Sequence, residues 1–104
     1  MNISYSKNFM TQAKKLSPKV RQKLLEKIEM FAGNPLHPSL RNHQLKGKWK
    51  EYRSIDITGD VRALYLQREE EAIFDTVGTH SQLYGWLSSF SSSWRTAEPL
   101  APYP

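Results

Sequence analysis

The chain has no cysteine, so neither a disulfide framework nor thiolate chemistry is open to it. Nothing in its 104 residues approaches the roughly 18 consecutive apolar residues a membrane helix needs. The amino end, Met1 to Met10, lacks the basic-then-apolar layout of a secretory signal. The expected compartment is therefore the cytoplasm, with no membrane partner. There is no His-x-x-x-His spacing and no dense carboxylate set with ligand spacing, so no metal site is expected. A glycine-rich phosphate loop and a Gly-x-Ser-x-Gly elbow are also missing. The acidic run Glu69–Glu71 reads as a solvated turn, and no cofactor is implied. The length leaves room for one compact domain with a single core.

What the chain does have is positive charge, unevenly spread. Residues 1–67 hold 13 Lys/Arg against 5 Asp/Glu, a surplus of +8, while residues 68–104 carry −3. A lopsided positive field attracts polyanions, nucleic acid above all, although a merely solvated surface fits the charge as well.

Periodicity predicts an α+β domain. Asn2 to Tyr5 alternates like an edge strand. Phe9, Ala13 and Leu16 recur at helical spacing over 6–16. Ser17-Pro18 then reads as a cap followed by first-turn proline. Val20, Leu24, Ile28 and Phe31 form the buried stripe of a second helix over 18–32, ended by Gly33 and Asn34-Pro35. Beyond a polar connection the period changes. Strands are expected over 49–57, 61–67 and 72–77, linked by Thr58-Gly59-Asp60 and by the acidic turn. In the tail, Trp86, Phe90 and Trp94 are spaced for a short aromatic-faced helix, but the serines around them and the final prolines predict partial disorder. A domain over 1–85 and an extension over 86–104 follow.

Histidine is the side chain that gives and takes protons near neutral pH. His37 lies between Leu36 and Pro38 and reads as structural. On spacing alone His43 and His80 fit hydrogen-bonded surface histidines as well as proton-transfer groups. Around them stand Lys46, Lys48, Lys50, Arg53, Arg62, Asp56 and Asp60. The set matches what RNA cleavage by internal attack requires: a base for the ribose 2′-OH, an acid for the leaving 5′-oxygen, and cations for the phosphorane. If the segment is extended, Lys46, Lys48 and Lys50 share a face and form a phosphate track. On the strand that follows, Ile55 and Ile57 should face the helices and Asp56 the open side. Neutralising such a surface carboxylate should cost little stability.

The run His43-Gln44-Leu45-Lys46-Gly47-Lys48-Trp49-Lys50-Glu51-Tyr52-Arg53 resembles the His-x-Leu-x-Gly-x-Trp-x-x-Tyr-Arg run of the YafQ-type branch of the RelE/ParE toxin superfamily. Gly78-Thr79-His80-Ser81-Gln82-Leu83-Tyr84-Gly85 is similar to that branch's closing motif, and Gly59-Asp60-Val61-Arg62-Ala63-Leu64-Tyr65 to the wider superfamily's turn and Arg-x-x-Tyr strand. The resemblance covers about Asn2 to Gly85. It implies a β-α-α-β-β-β core with an antiparallel sheet, and a ribosome-dependent endoribonuclease that cuts messenger RNA in the decoding site. It also implies a cognate antitoxin.

By position, His80 would be general acid or base, His43 a second proton-transfer or orienting group, and Asp60 would orient a neighbour or help with proton transfer. Arg62 would stabilise the phosphorane, and Tyr84 would stack on a base. Two departures stand out: Asp56 where the branch commonly has histidine, and Ser54 where it has a carboxylate. Asp56 either replaces that histidine as base or leaves its role unfilled. Two other readings share the fold: a non-catalytic inhibitor of the ParE kind, and an RNA- or ribosome-binding module that has lost the chemistry.

Overall fold

The computed structural model describes residues 2–79 and 81–83, the Lys48 side chain excepted. His80, Tyr84 and the expected extension over 86–104 lie outside the described residues.

Strand β1 (Asn2–Tyr5) leads into helix α1 (Lys7–Lys14). Ser6 starts the helix by accepting from the Phe9 N–H at 3.0 Å, and its hydroxyl also donates to the Asp75 carbonyl, tying the helix start to the sheet. Helix α2 (Pro18–Gly33) begins as the sequence predicts, with Ser17 accepting from the Val20 N–H and Pro18 in the first turn. Asn34, in extended conformation, ends it. A 3₁₀ turn over Pro38–Leu40 follows. Then come β2 (His43–Gln44), a second 3₁₀ turn over Gly47–Trp49, β3 (Tyr52–Asp56), β4 (Val61–Arg68) and β5 (Glu71–Thr79). In His37 the ring Nδ1 accepts from the Ser39 N–H, a structural part in the first of these turns.

The sheet order is β1-β5-β4-β3-β2. The meander β3-β4-β5 is antiparallel as expected. β1 departs from that pattern, pairing parallel with β5 from Asn2↔Glu71 to Tyr5↔Phe74. After β1 the two helices carry the chain across one face before the meander begins, so the first strand meets the last with the same direction.

The expected strand over 49–57 starts later, at Tyr52. Gly47 takes φ 67, a left-handed value that ends extended chain. The Trp49 and Lys50 N–H groups then close on the Lys46 and Gly47 carbonyls. Trp49 turns inward and becomes buried. The alternation that would line up Lys46, Lys48 and Lys50 is therefore absent.

Each face of the sheet has its own core. Under the helices, Phe9, Leu24 and Phe31 pack on Ile55, Ile57, Ala63, Tyr65 and Phe74. On the other face Leu45, Trp49, Leu64 and Leu83 make a smaller cluster with Tyr52 against it. Ile55 and Ile57 lie in the first cluster and Tyr52 in the second, as the alternation along β3 predicts.

Candidate active site

The site is assembled where β3 ends, β4 begins and β5 leaves the sheet. The β3–β4 register sets Asp56 directly opposite Arg62 and Ile55 opposite Ala63. Arg62 is buried, with only 5% of its side chain exposed, and its Nε lies 3.5 Å from Asp56 Oδ1. The other carboxylate oxygen, Oδ2, lies 3.4 Å from Arg41 Nε. These separations exceed the roughly 2.7–2.9 Å of an aligned charge-assisted hydrogen bond, so the pairing is Coulombic. Its worth is the counter-charge: a guanidinium removed from water is costly unless an anion stands beside it. Both Asp56 oxygens face cations, which compete for the lone pairs a general base would use.

His43 reaches the site through β2, where it pairs with buried Ser54, two residues before Asp56 on β3. Its Nδ1 lies 2.9 Å from the Arg41 carbonyl oxygen. A carbonyl only accepts, so Nδ1 carries the hydrogen and Nε2 is the nitrogen with the in-plane lone pair in the neutral ring. Nε2 is shielded from solvent.

Arg41 was missed by sequence reasoning. It has φ 48 and ψ 45, left-handed values unusual for a residue with a side chain. That conformation costs about 1–2 kcal/mol. Its only sequence signal is adjacency to Asn42-His43, with no glycine to announce the turn.

Arg53 goes elsewhere. It faces the helix side of the sheet with Tyr65, and its Nε donates to Asn42 Oδ1 at 2.8 Å. Asn42 in turn donates to the Tyr65 hydroxyl and the Pro35 carbonyl. This bracing fixes the loop that delivers His43. Lys46 and Lys50 are exposed on either side of the 3₁₀ turn containing Lys48, whose side chain is outside the described set. Asp60 is exposed in the β3–β4 turn, where Thr58 Oγ1 accepts from the Asp60 and Val61 N–H groups.

The β5 exit has a lock of its own. Thr79 N–H donates to Gln82 Oε1 at 2.8 Å, and Gln82 N–H donates to Thr79 Oγ1 at 3.2 Å. This reciprocal pair is a capping box, legible as Thr79-x-x-Gln82. Gly78 makes room for it, since a Cβ there would stand 2.7 Å from Gln82 Oε1. Beside it, a cleft of about 240 Å³ between α1 and β5 is lined by Gln12, Lys15, Leu16, Val77 and Gln82. Gln12 Oε1 accepts from both the Thr76 hydroxyl and the Val77 N–H, fixing β5 to the helix.

Tyr52, at the far end of the same face, donates its hydroxyl to Asp75 Oδ2 at 3.4 Å. Its pKa is pushed up to about 12, first by burial and then by the Asp75 carboxylate, with Glu51 adding to the rise and Arg68 opposing it. Among the described residues no group of three or more His, Cys, Asp or Glu side chains could hold a metal ion. Likewise, no helix among them is long and apolar enough to cross a membrane.

Comparison with known proteins agrees with the fold. A protein of Haemophilus influenzae that carries the YafQ name is 35% identical over 92 residues, covering 79% of this chain and 90% of its own. The Escherichia coli protein named mRNA interferase toxin YafQ is 28% identical over 81 residues, covering 78% and 88% of the two chains. The crystal structure of E. coli YafQ matches with a TM-score of 0.70 at 26% identity, over 81% of this chain and 98% of that one. The same toxin in the DinJ-YafQ toxin-antitoxin complex gives 0.68 at 26% identity, over 81% and 97%. The family described as bacterial toxin of type II toxin-antitoxin system, YafQ, matches residues 1–85. Sharing that span and that fold, the chain belongs to the YafQ family of type II toxin–antitoxin toxins.

Proposed function

We propose that the protein is a metal-independent endoribonuclease that cleaves messenger RNA in the ribosomal decoding site. The observation that carries the reading is His43. Its tautomer is set by the Arg41 carbonyl, and its pairing with Ser54 puts it on the strand next to Asp56, the carboxylate that holds the buried Arg62 guanidinium. That arrangement supplies a proton-transfer group and a preorganised cation, the two things phosphodiester cleavage by internal attack demands. The name of the E. coli relative, an mRNA interferase toxin, supports messenger RNA as the target.

In this reading a histidine takes the 2′-OH proton and the 2′-oxygen attacks the adjacent phosphorus. The bond from phosphorus to the 5′-oxygen breaks, and the leaving oxygen is protonated. The products are a 2′,3′-cyclic phosphate and a 5′-hydroxyl. His43 and His80 share the two proton transfers, and Arg62 offsets charge on the phosphorane. Asp56 holds Arg62 in place and is not itself the base. Asp60 orients a neighbour, and Tyr84 stacks on a base. Lys46, Lys48 and Lys50 add positive potential along the RNA without forming a regular track. Arg53 acts at one remove, through the loop that carries His43.

We further infer that residues 1–85 form the toxin domain, with 86–104 an extension, and that the protein works in the cytoplasm with an antitoxin covering part of the site. The DinJ-YafQ complex of the relative supports such a partner. The +8 surplus in residues 1–67 suits an acidic one.

The test is translation of a defined messenger RNA with the purified protein, followed by mapping of new 5′ ends and analysis of the upstream 3′ ends. Cleavage on ribosomes, leaving a 2′,3′-cyclic phosphate upstream and a 5′-hydroxyl downstream and lost in folded His43→Ala and His80→Ala proteins, is the expected result. Full cleavage by both variants would remove the assignment, and the absence of any cut with active antitoxin-free protein would remove the nuclease.

A further inference from the structure

We propose that Arg41 is a substrate-binding residue, gripping a phosphodiester of the RNA strand while its own carbonyl sets the His43 ring; the inference rests on the ribonuclease reading above. Two independent contacts converge on this residue. The main-chain oxygen accepts from His43 Nδ1, and the side-chain Nε is anchored on Asp56 Oδ2. The backbone and the guanidinium thus address the two halves of the site from one position.

A purely structural role does not account for it. The Arg41 side chain is 58% exposed. Ion pairs with so exposed a partner contribute little to stability, because solvent screens them and the long side chain loses freedom. The left-handed backbone would be adopted more easily by glycine or asparagine. Strain retained without a stabilising return is a mark of a functional position.

The anchoring geometry suits an anion. Asp56 engages the guanidinium through Nε at 3.4 Å, while the side chain as a whole stays 58% exposed. A guanidinium presented in this way matches the paired oxygens of a phosphodiester. Arg62, on the other oxygen of the same carboxylate, is buried. Asp56 therefore spaces two cations, an inner one suited to the reacting phosphate and an outer one suited to its neighbour along the strand.

The experiment uses Arg41→Gly, which keeps the carbonyl and accepts the left-handed conformation, and Arg41→Lys, which keeps the charge. The probe is a short RNA methylated at every 2′-oxygen, which binds but cannot react. Its affinity is measured across a salt series, alongside KM and kcat on cleavable messenger RNA. For Arg41→Gly, binding should weaken roughly 3–10-fold and the magnitude of the log–log salt slope should fall by roughly 0.7, the loss of one phosphate contact on a single strand. The kinetic loss should appear in KM more than in kcat, and Arg41→Lys should recover the salt slope. Imidazole nitrogen shifts of His43 should stay in place, since its carbonyl partner remains.

Unchanged affinity and slope in folded Arg41→Gly protein would overturn the proposal. If wild-type protein binds the methylated RNA through Arg41 yet cuts nothing, the nuclease reading fails while the phosphate contact stands, so the two failures are distinguishable.

Discussion

The two faces of the sheet are built to different rules. Under the helices, Phe31 meets Tyr65 at 4.9 Å and Phe74 at 5.2 Å, and Tyr65 meets Phe74 at 5.2 Å, an aromatic knot of fully buried rings. On the other face the apolar cluster is small and gives way, toward the ends of β3 and β5, to Asp56, Arg62, Arg41 and His43. Area removed from water holds the first face together, while charge and hydrogen bonds organise the second. Folding and chemistry can therefore be attacked separately. The largest effect should come from the aromatic knot: Phe31→Ala should cost about 3–5 kcal/mol, as deletion of a fully buried ring does. Urea unfolding measures it. A loss under about 1 kcal/mol would mean that the helices contribute far less than their packing implies.

Asp56 is where the separation should fail, and that sharpens it. As a surface carboxylate on the open side it could be neutralised at little cost. The structure argues for a larger cost, because Arg62 is buried and Asp56 is its counter-charge, only 13% exposed itself. Asp56→Asn should cost about 2–3 kcal/mol, somewhat less than the breaking of a fully buried pair. If Arg62 stabilises the phosphorane, cleavage should fall about 10²–10³-fold as well. Adding Arg62→Met to Asp56→Asn should recover stability, since the buried guanidinium that Asp56 offsets is then gone, without recovering cleavage. A double variant no more stable than Asp56→Asn would refute the counter-charge argument.

Much of the helix-covered face is legible in the sequence, because its signals are local. Ser6 and Ser17-Pro18 announce the helix starts, and the Leu24, Ile28 and Phe31 stripe announces what is buried. The alternation of Ile55, Asp56 and Ile57 assigns the sides of β3. The site face is harder to read. β2 is two residues long, too short to show a period, and its pairing of His43 with Ser54 depends on a loop braced by Arg53 and Asn42. Trp49 and Tyr52 both look like strand residues, yet the positive φ of Gly47 puts Trp49 in a turn. The burial of Arg62 follows from register and is invisible in composition. The parallel pairing of β1 with β5 joins the two ends of the domain. No local pattern could specify it.

Tyr52 offers a gentler probe of the site face. The phenol titrates near 10 in the unfolded chain and at about 12 when folded, chiefly because burial disfavours the phenolate and the Asp75 carboxylate repels it. A folded pKa above the unfolded one means that folding favours the protonated form. Its contribution is thus complete below about pH 10 and is lost as pH rises toward about 12. Denaturant midpoints measured from pH 9 to pH 12 should fall more steeply for wild type than for Tyr52→Phe. Parallel curves would place the alkaline instability elsewhere.

The smallest expected effect belongs to neither face. β4 and β5 are joined by a two-residue link, Glu69-Glu70, between the paired residues Arg68 and Glu71. Glu69 has φ 45, where a Cβ crowds the backbone. The turn is otherwise well used: the Glu69 carbonyl accepts from Gln67 Nε2, and the Glu70 carbonyl from the Asn2 N–H that starts β1. The conformation is thus held by its neighbours against a local preference. Asparagine tolerates left-handed backbone better than glutamate, and glycine better still, although glycine also gives the unfolded chain more freedom. Glu69→Asn and Glu69→Gly should each raise stability by about 0.4–1 kcal/mol. Glu69→Ala is the control, because it removes the same negative charge from the acidic run but keeps the Cβ. If relief of backbone strain is the cause, alanine gains nothing. Equal gains from alanine and asparagine would instead trace the effect to repulsion among Glu69, Glu70 and Glu71. In either case RNA cleavage should not change, since the turn lies at the end of β4 away from Arg62 and β3's Asp56.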